Sequence, residues 1–100
     1  MGWASLAIEK LQQGQTVQIR PRGHSMKGKV NDGALVTVTP CETGDLQIGD
    51  IVLVKVKGNE YLHLIKAKDT QGRFQIGNNR GGINGWVGAH CIYGKAIRIE

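Results

Sequence analysis

One hundred residues make one domain, spanning 1–100, with room for a modest core. With 40% hydrophobic and 21% charged residues the chain is ordinary for a globular protein, neither low-complexity nor fibrous, and its apolar stretches fall far below the roughly 20 residues of a bilayer span. A formal charge of +5 favours acidic partners only weakly, and 15 glycines point to many turns and a β-rich fold.

Near the N-terminus, Trp3, Leu6, Ala7 and Leu11 recur at helical spacing, with Glu9, Lys10, Gln12 and Gln13 mostly on the other side. Gly14 ends this amphipathic helix, whose apolar face is expected to cover a sheet. The segment lacks a basic start, and Glu9 and Lys10 break its apolar run, so it does not read as a secretory signal. The chain is expected to be soluble and cytoplasmic, and Cys41 and Cys91 are therefore expected to be unbridged thiols. No C-x-x-C occurs, and neither a metal nor a cofactor is expected.

The first strand is "TVQIR", with Val17 and Ile19 on one face. Pro21 and Gly23 break it and open a loop, "RPRGHSMKGK", that carries Arg20, Arg22, Lys27 and Lys29 around one serine. "ALVTVTP" alternates again, and "CETGDLQIGD" connects it to a turn at Gly49-Asp50. A hairpin follows: Ile51 to Val56, a turn at Gly58-Asn59, and a return arm from Tyr61 to Ala67. "RFQIG" is another strand, "NNRGGING" reads as a loop, and "CIYGKAIRIE" closes the chain as a strand. About seven short strands with connections too short for crossover helices predict an all-β fold of coiled, mostly antiparallel sheets with one short N-terminal helix.

"GHSMKGK", "GALVTV", "LQIGDIVLVKVKGNEYLHLIKA" and "GRFQIGNN", in that order, resemble the LexA/signal peptidase family of serine peptidases over roughly residues 15 to 99. In that family a Ser-Met pair carries the nucleophile, a Gly-Asp turn leads into an apolar strand, and the general base lies on the next strand. The resemblance implies the family's fold, Ser25 as nucleophile and His63 as base, without a metal. It also implies a peptide or protein substrate, cleaved in another chain or in the protein itself.

The residue chemistry agrees with those roles. A serine hydroxyl attacks only when a neighbouring base takes its proton, and imidazole suits that near neutral pH. Gly23 permits a sharp turn before the serine, and the Ser25 N–H is the expected donor to a developing oxyanion. Alternation puts Tyr61, His63 and Ile65 on one strand face and Leu62, Leu64 and Lys66 on the other, so His63 and Lys66 do not both serve Ser25. Met26 and His24, flanking the serine, are the expected substrate contacts. Adjacent side chains tend to diverge, so His24 is poorly placed to serve Ser25 as a base.

The sequence departs from the family in three places. Gly28 stands where proline is usual, Gly33-Ala34 replaces a Gly-Asp turn, and asparagines (Asn78, Asn79, then Asn84) occupy the region that holds an aspartate in the histidine-type enzymes. Asn78 is the expected partner of His63, because an amide oxygen also orients an imidazole. Two other classes compete. A catalytically inactive peptide-binding module would keep the same cleft. Weak nucleic-acid binding would use Arg20, Arg22, Lys27, Lys29 and Arg80, although five aromatics in the whole chain make a poor stacking platform. Neither "GNNRGGING" nor "RGHSMKGK" matches a phosphate-binding loop, and both read as turns.

Overall fold

The computed structural model describes residues 3–100, leaving Met1 and Gly2 of the N-terminal stretch outside the described residues. One helix, α1 (Ser5–Gln12), precedes seven strands: β1 (Val17–Ile19), β2 (Val36–Thr39), β3 (Ile51–Val56), β4 (Asn59–Lys68), β5 (Phe74–Gly77), β6 (Ile83–Val87) and β7 (Ile92–Ile99). They form one sheet in the order β1-β2-β7-β3-β4-β5-β6, with every pair antiparallel. The protein is thus all-β with one short helix. No described helix is long and apolar enough to cross a membrane.

The alternation in β3 and β4 explains why the sheet has a core on each face. Leu53, Leu62 and Leu64 point to one side, where they meet Val36, Val38, Met26, Val30 and the helix. Val52, Val54, Val56 and Ile65 point to the other, joined by Leu46, Phe74, Ile76, Val87 and Ile92. Burying both faces of two central strands requires the flanking strands to curl around them. β6 accordingly comes back over β3, with Gly85 beside Val56.

The helix docks on a different stripe from the one the periodicity suggests. Ala4, Ala7 and Leu11 are buried with Ile8 partly covered, whereas Trp3 and Leu6 are 52% and 61% exposed. Small residues let the helix backbone approach the sheet closely, and the larger Trp3 and Leu6 are left outside. The helix ends in a Schellman arrangement, with Gly14 N–H donating to the Leu11 carbonyl and Gln15 N–H to that of Lys10, at 3.0 Å each.

A further finding corrects the linear reading. The "NNRGGING" loop is shorter than expected, because Ile83, Asn84 and Gly85 already belong to β6. The three glycines at 81, 82 and 85 disguise that strand, which also carries Trp86 and Val87. Cys41 and Cys91 are free thiols packed at the edge of the second core. Burial pushes the Cys41 thiol up, so it is a protonated packing group at neutral pH.

Gly94 on β7 tests how tightly the helix, β2 and β7 are packed. A Cβ there would lie 2.7 Å from the Thr39 carbonyl oxygen, 2.8 Å from Val38 Cγ1 and 3.1 Å from Leu11 Cδ2. Gly94→Ala is expected to destabilise the fold by about 1–3 kcal/mol, the usual cost of overpacking, read as a lower urea midpoint at unchanged slope. An unchanged midpoint would show that this junction has slack.

Candidate active site

The long connection from β1 to β2, residues 20–35, has no regular secondary structure. It is held instead by side chains. Met26 and Val30 are buried in the first core and pin the loop from below. Asp32 accepts from the Gly23 N–H at 2.8 Å, Asn31 from the Gly28 N–H at 3.2 Å, and the Arg20 guanidinium donates to the Gly33 carbonyl at 3.0 Å. Asn79 ties the loop to the β5–β6 turn: its backbone N–H donates to the Ser25 carbonyl at 3.0 Å and its side-chain amide to the Lys27 carbonyl at 2.8 Å.

That loop brings Ser25 to β4. Ser25 Oγ lies 3.0 Å from His63 Nε2, and His63 Nδ1 lies 2.7 Å from Asn84 Oδ1. The amide oxygen only accepts, so Nδ1 carries the proton and donates it to Asn84. Nε2 is then left with a free lone pair that accepts from the Ser25 hydroxyl. His63 is buried, and Tyr61 covers it with ring centroids 4.8 Å apart. Burial pushes the imidazole pKa below its ordinary 6.5, and the Asn84 hydrogen bond opposes that shift. The ring is therefore neutral at pH 7, the form that accepts a proton.

Asn84 replaces Asn78 in the role expected for an asparagine. Asn78 is occupied in its own turn, where its Oδ1 accepts from the Arg80 and Gly82 N–H groups at 2.8 Å each. Asn84 reaches the histidine because of a β-bulge. Ile76 pairs with Gly85 and Gly77 with Ile83, so Asn84 is an extra residue with no opposite number. A bulge commonly re-aims a side chain in this way, and Gly85, at φ +144°, takes up a backbone angle that other residues avoid. The signal in the sequence was the glycine that follows Asn84 inside a strand pattern, which marks a bulge.

The other expected residues are placed as follows. Met26 is chiefly an anchor, 4% exposed, and contributes only an edge to the cleft wall. His24 is exposed and faces away from that cleft, into a separate depression with Lys27 and Arg80. The cleft itself holds about 350 Å³ and is lined by Ser25, His63, Tyr61, Leu62, Pro21 and Trp3 among others. Trp3 and Pro21 are contributions that the linear reading did not assign. Gly28 adopts φ +97° and uses its N–H, neither of which proline allows, so the loop here differs from a proline-containing version.

Three aspartates are spent on turns, and Glu60 of β4 lines the cleft. Asp32 caps the serine loop, Asp50 accepts from the Gln47 N–H at 2.8 Å and pairs with Lys95 at 3.4 Å, and Asp69 closes the β4–β5 turn with Arg73. Among the described residues, no carboxylate hydrogen-bonds to His63, and no three His, Cys, Asp or Glu side chains gather as a metal site. The backbone N–H groups of Ser25 and Met26 have no acceptor among the described residues and are free to meet an oxyanion.

No protein-family model matches the chain, and no curated protein or solved structure matches it.

Asn84→Asp should raise the His63 pKa, because a carboxylate stabilises the imidazolium that an amide does not. Asn78→Asp should leave it unchanged. Both are read by following the His63 Cε1 proton through a pH titration by NMR. Equal shifts in the two variants would break the assignment of Asn84 as the partner.

Proposed function

We propose that this protein is a serine endopeptidase-like domain of the LexA/signal peptidase type, cleaving a peptide bond in a protein substrate or in itself. The observation that carries this reading is the chain Ser25 Oγ–His63 Nε2–Asn84 Oδ1, at 3.0 and 2.7 Å, opening on a cleft. Its order and tautomer are those of nucleophile, base and orienting group. The order of the Ser-Met, Gly-Asp and His-Leu-Ile-Lys segments supports the family assignment.

In the reaction, Ser25 Oγ attacks the scissile carbonyl carbon while its proton passes to His63 Nε2. Negative charge grows on the carbonyl oxygen, and the free N–H groups of Ser25 and Met26 are the nearest candidates to receive it. Collapse of the tetrahedral intermediate breaks the C–N bond, and the leaving amine takes the proton from Nε2. Water then loses a proton to Nε2, attacks the acyl-serine and restores the hydroxyl. Asn84 keeps the ring in register throughout, but lends no charge to the imidazolium. The lowered His63 pKa and the missing carboxylate both make proton uptake harder, so the enzyme is a slow one. An inactive peptide-binding module on the same scaffold is the reading that the missing carboxylate favours.

The deciding experiment is digestion of a peptide library followed by mass spectrometry. Wild type is expected to cleave, Ser25→Ala to be inactive with its fold retained, and His63→Ala to lose roughly 10²–10⁴-fold, the usual contribution of a general base. Activity requires neutral His63, so kcat/KM should fall as pH drops through its lowered pKa and level off above it. Asn84→Asp should move that fall to higher pH and raise the plateau. Cleavage retained by Ser25→Ala removes the serine mechanism. Inactivity of wild type and Asn84→Asp alike leaves the binding module.

A further inference from the structure

The turn that carries Ser25 divides two openings. Arg22, Gly23, Ser25 and Met26 line the cleft, whereas His24 and Lys27, from the same turn, line a second depression with Arg80. No carboxylate among the described residues pairs with Lys27 or Arg80. Three cationic or titratable groups thus converge without a counter-charge, although eight acidic residues are present in the chain. Like charges gathered in this way raise the local potential and draw an anion.

The backbone beneath these side chains is tied on both sides. The Arg80 N–H donates to Asn78 Oδ1, and the Lys27 carbonyl accepts from the Asn79 side chain. Lys27 and Arg80 come from different loops, and Asn79 also donates to the Ser25 carbonyl. An anion held between them would bridge the nucleophile loop and the β5–β6 turn at the point where these two already touch.

We infer that the His24–Lys27–Arg80 depression is a subsite for an acidic side chain of a peptide, placed on the opposite side of the Ser25 turn from the cleft that holds Ser25 and His63. Its role in choosing a substrate rests on the peptidase reading, while its affinity for an acidic peptide does not. Peptide is favoured over single-stranded nucleic acid because no Phe, Tyr or Trp lines the depression, and a run of such rings is what strand-tracking sites stack bases on. The depression also suits one or two carboxylates rather than a tracked phosphate backbone. Such a subsite would select substrates carrying Asp or Glu beyond the scissile bond, and repel basic ones.

The test uses full-length Ser25→Ala, which binds without cleaving, and follows its backbone amides by ¹H–¹⁵N NMR. Hexaglutamate is expected to shift the amides of residues 24–28 and 79–81 and to leave Tyr61 and Leu62 unmoved, while hexaglutamine shifts none of them. Lys27→Gln/Arg80→Gln in the same background should weaken hexaglutamate binding about tenfold, the value of two partly exposed charge pairs. An unchanged affinity in that variant overturns the site, as does an absence of shifts at residues 24–28 and 79–81. A decamer of thymidylate shifting these amides at lower concentration than hexaglutamate overturns the choice of peptide. In the peptide library, wild-type cleavage should be enriched for Asp and Glu on one side of the scissile bond, and the double substitution should remove that enrichment. A library with no cleavage at all counts against the peptidase reading and leaves the binding result to stand by itself.

Discussion

A buried imidazole has two nitrogens to satisfy, and much of this structure follows from doing so. His63 sits in the middle of β4, paired with Val52, covered by Tyr61 and only 6% exposed. An unpaired polar group in that position costs about 1–3 kcal/mol. Nδ1 is met by Asn84, which a bulge in β6 turns inward. Nε2 is met by Ser25, which the 16-residue connection between β1, an edge strand, and β2 delivers to β4. The bulge, the buried Met26 and Val30 anchors, and the Asn79 bridge are all means to that end. The pair is also directional, since the amide oxygen fixes which nitrogen is left to take a proton.

The same arrangement sets a limit on the chemistry. An amide partner orients the ring as well as a carboxylate does, but it offers nothing extra once the ring is charged. Burial works in the same direction, since desolvation disfavours the cation. His63 is thus ready to accept a proton over the neutral range and reluctant to keep it. Under the proposed peptidase reading, such a base would suit a reaction that needs no speed, such as a single self-cleavage, better than the turnover of an abundant substrate.

Strand alternation was legible because it follows from burial on both sheet faces. It separated Leu62 and Leu64 from Tyr61, His63 and Ile65, and so placed His63 apart from Lys66. The histidine's partner was harder to read. Asn78, Asn79 and Asn84 are chemically equivalent in the sequence, and what distinguishes them is the turn that uses up Asn78 and the bulge that aims Asn84. Both are events of pairing register, which local periodicity does not encode. The helix was misjudged for a related reason. Hydrophobicity ranks Trp3 and Leu6 above Ala4, but close approach of a helix to a sheet rewards small size, and alanine wins the contact.

The three asparagines also show how a glycine-rich surface can hold a geometry. Asn78 closes its own turn, Asn79 clamps the serine loop, and Asn84 holds the His63 imidazole, each through side-chain oxygens or N–H groups that replace missing secondary structure. Their glycine neighbours permit these approaches: the Asn78 side chain lies against Gly82, where a Cβ would meet it at 2.6 Å. The β5–β6 region therefore does for the serine and the histidine at once what a longer strand pair does elsewhere in the sheet. The turn between these strands is held by side-chain hydrogen bonds, while Phe74, Ile76 and Val87 carry the apolar packing, so a change in the turn is expected to disturb the site before it disturbs the core.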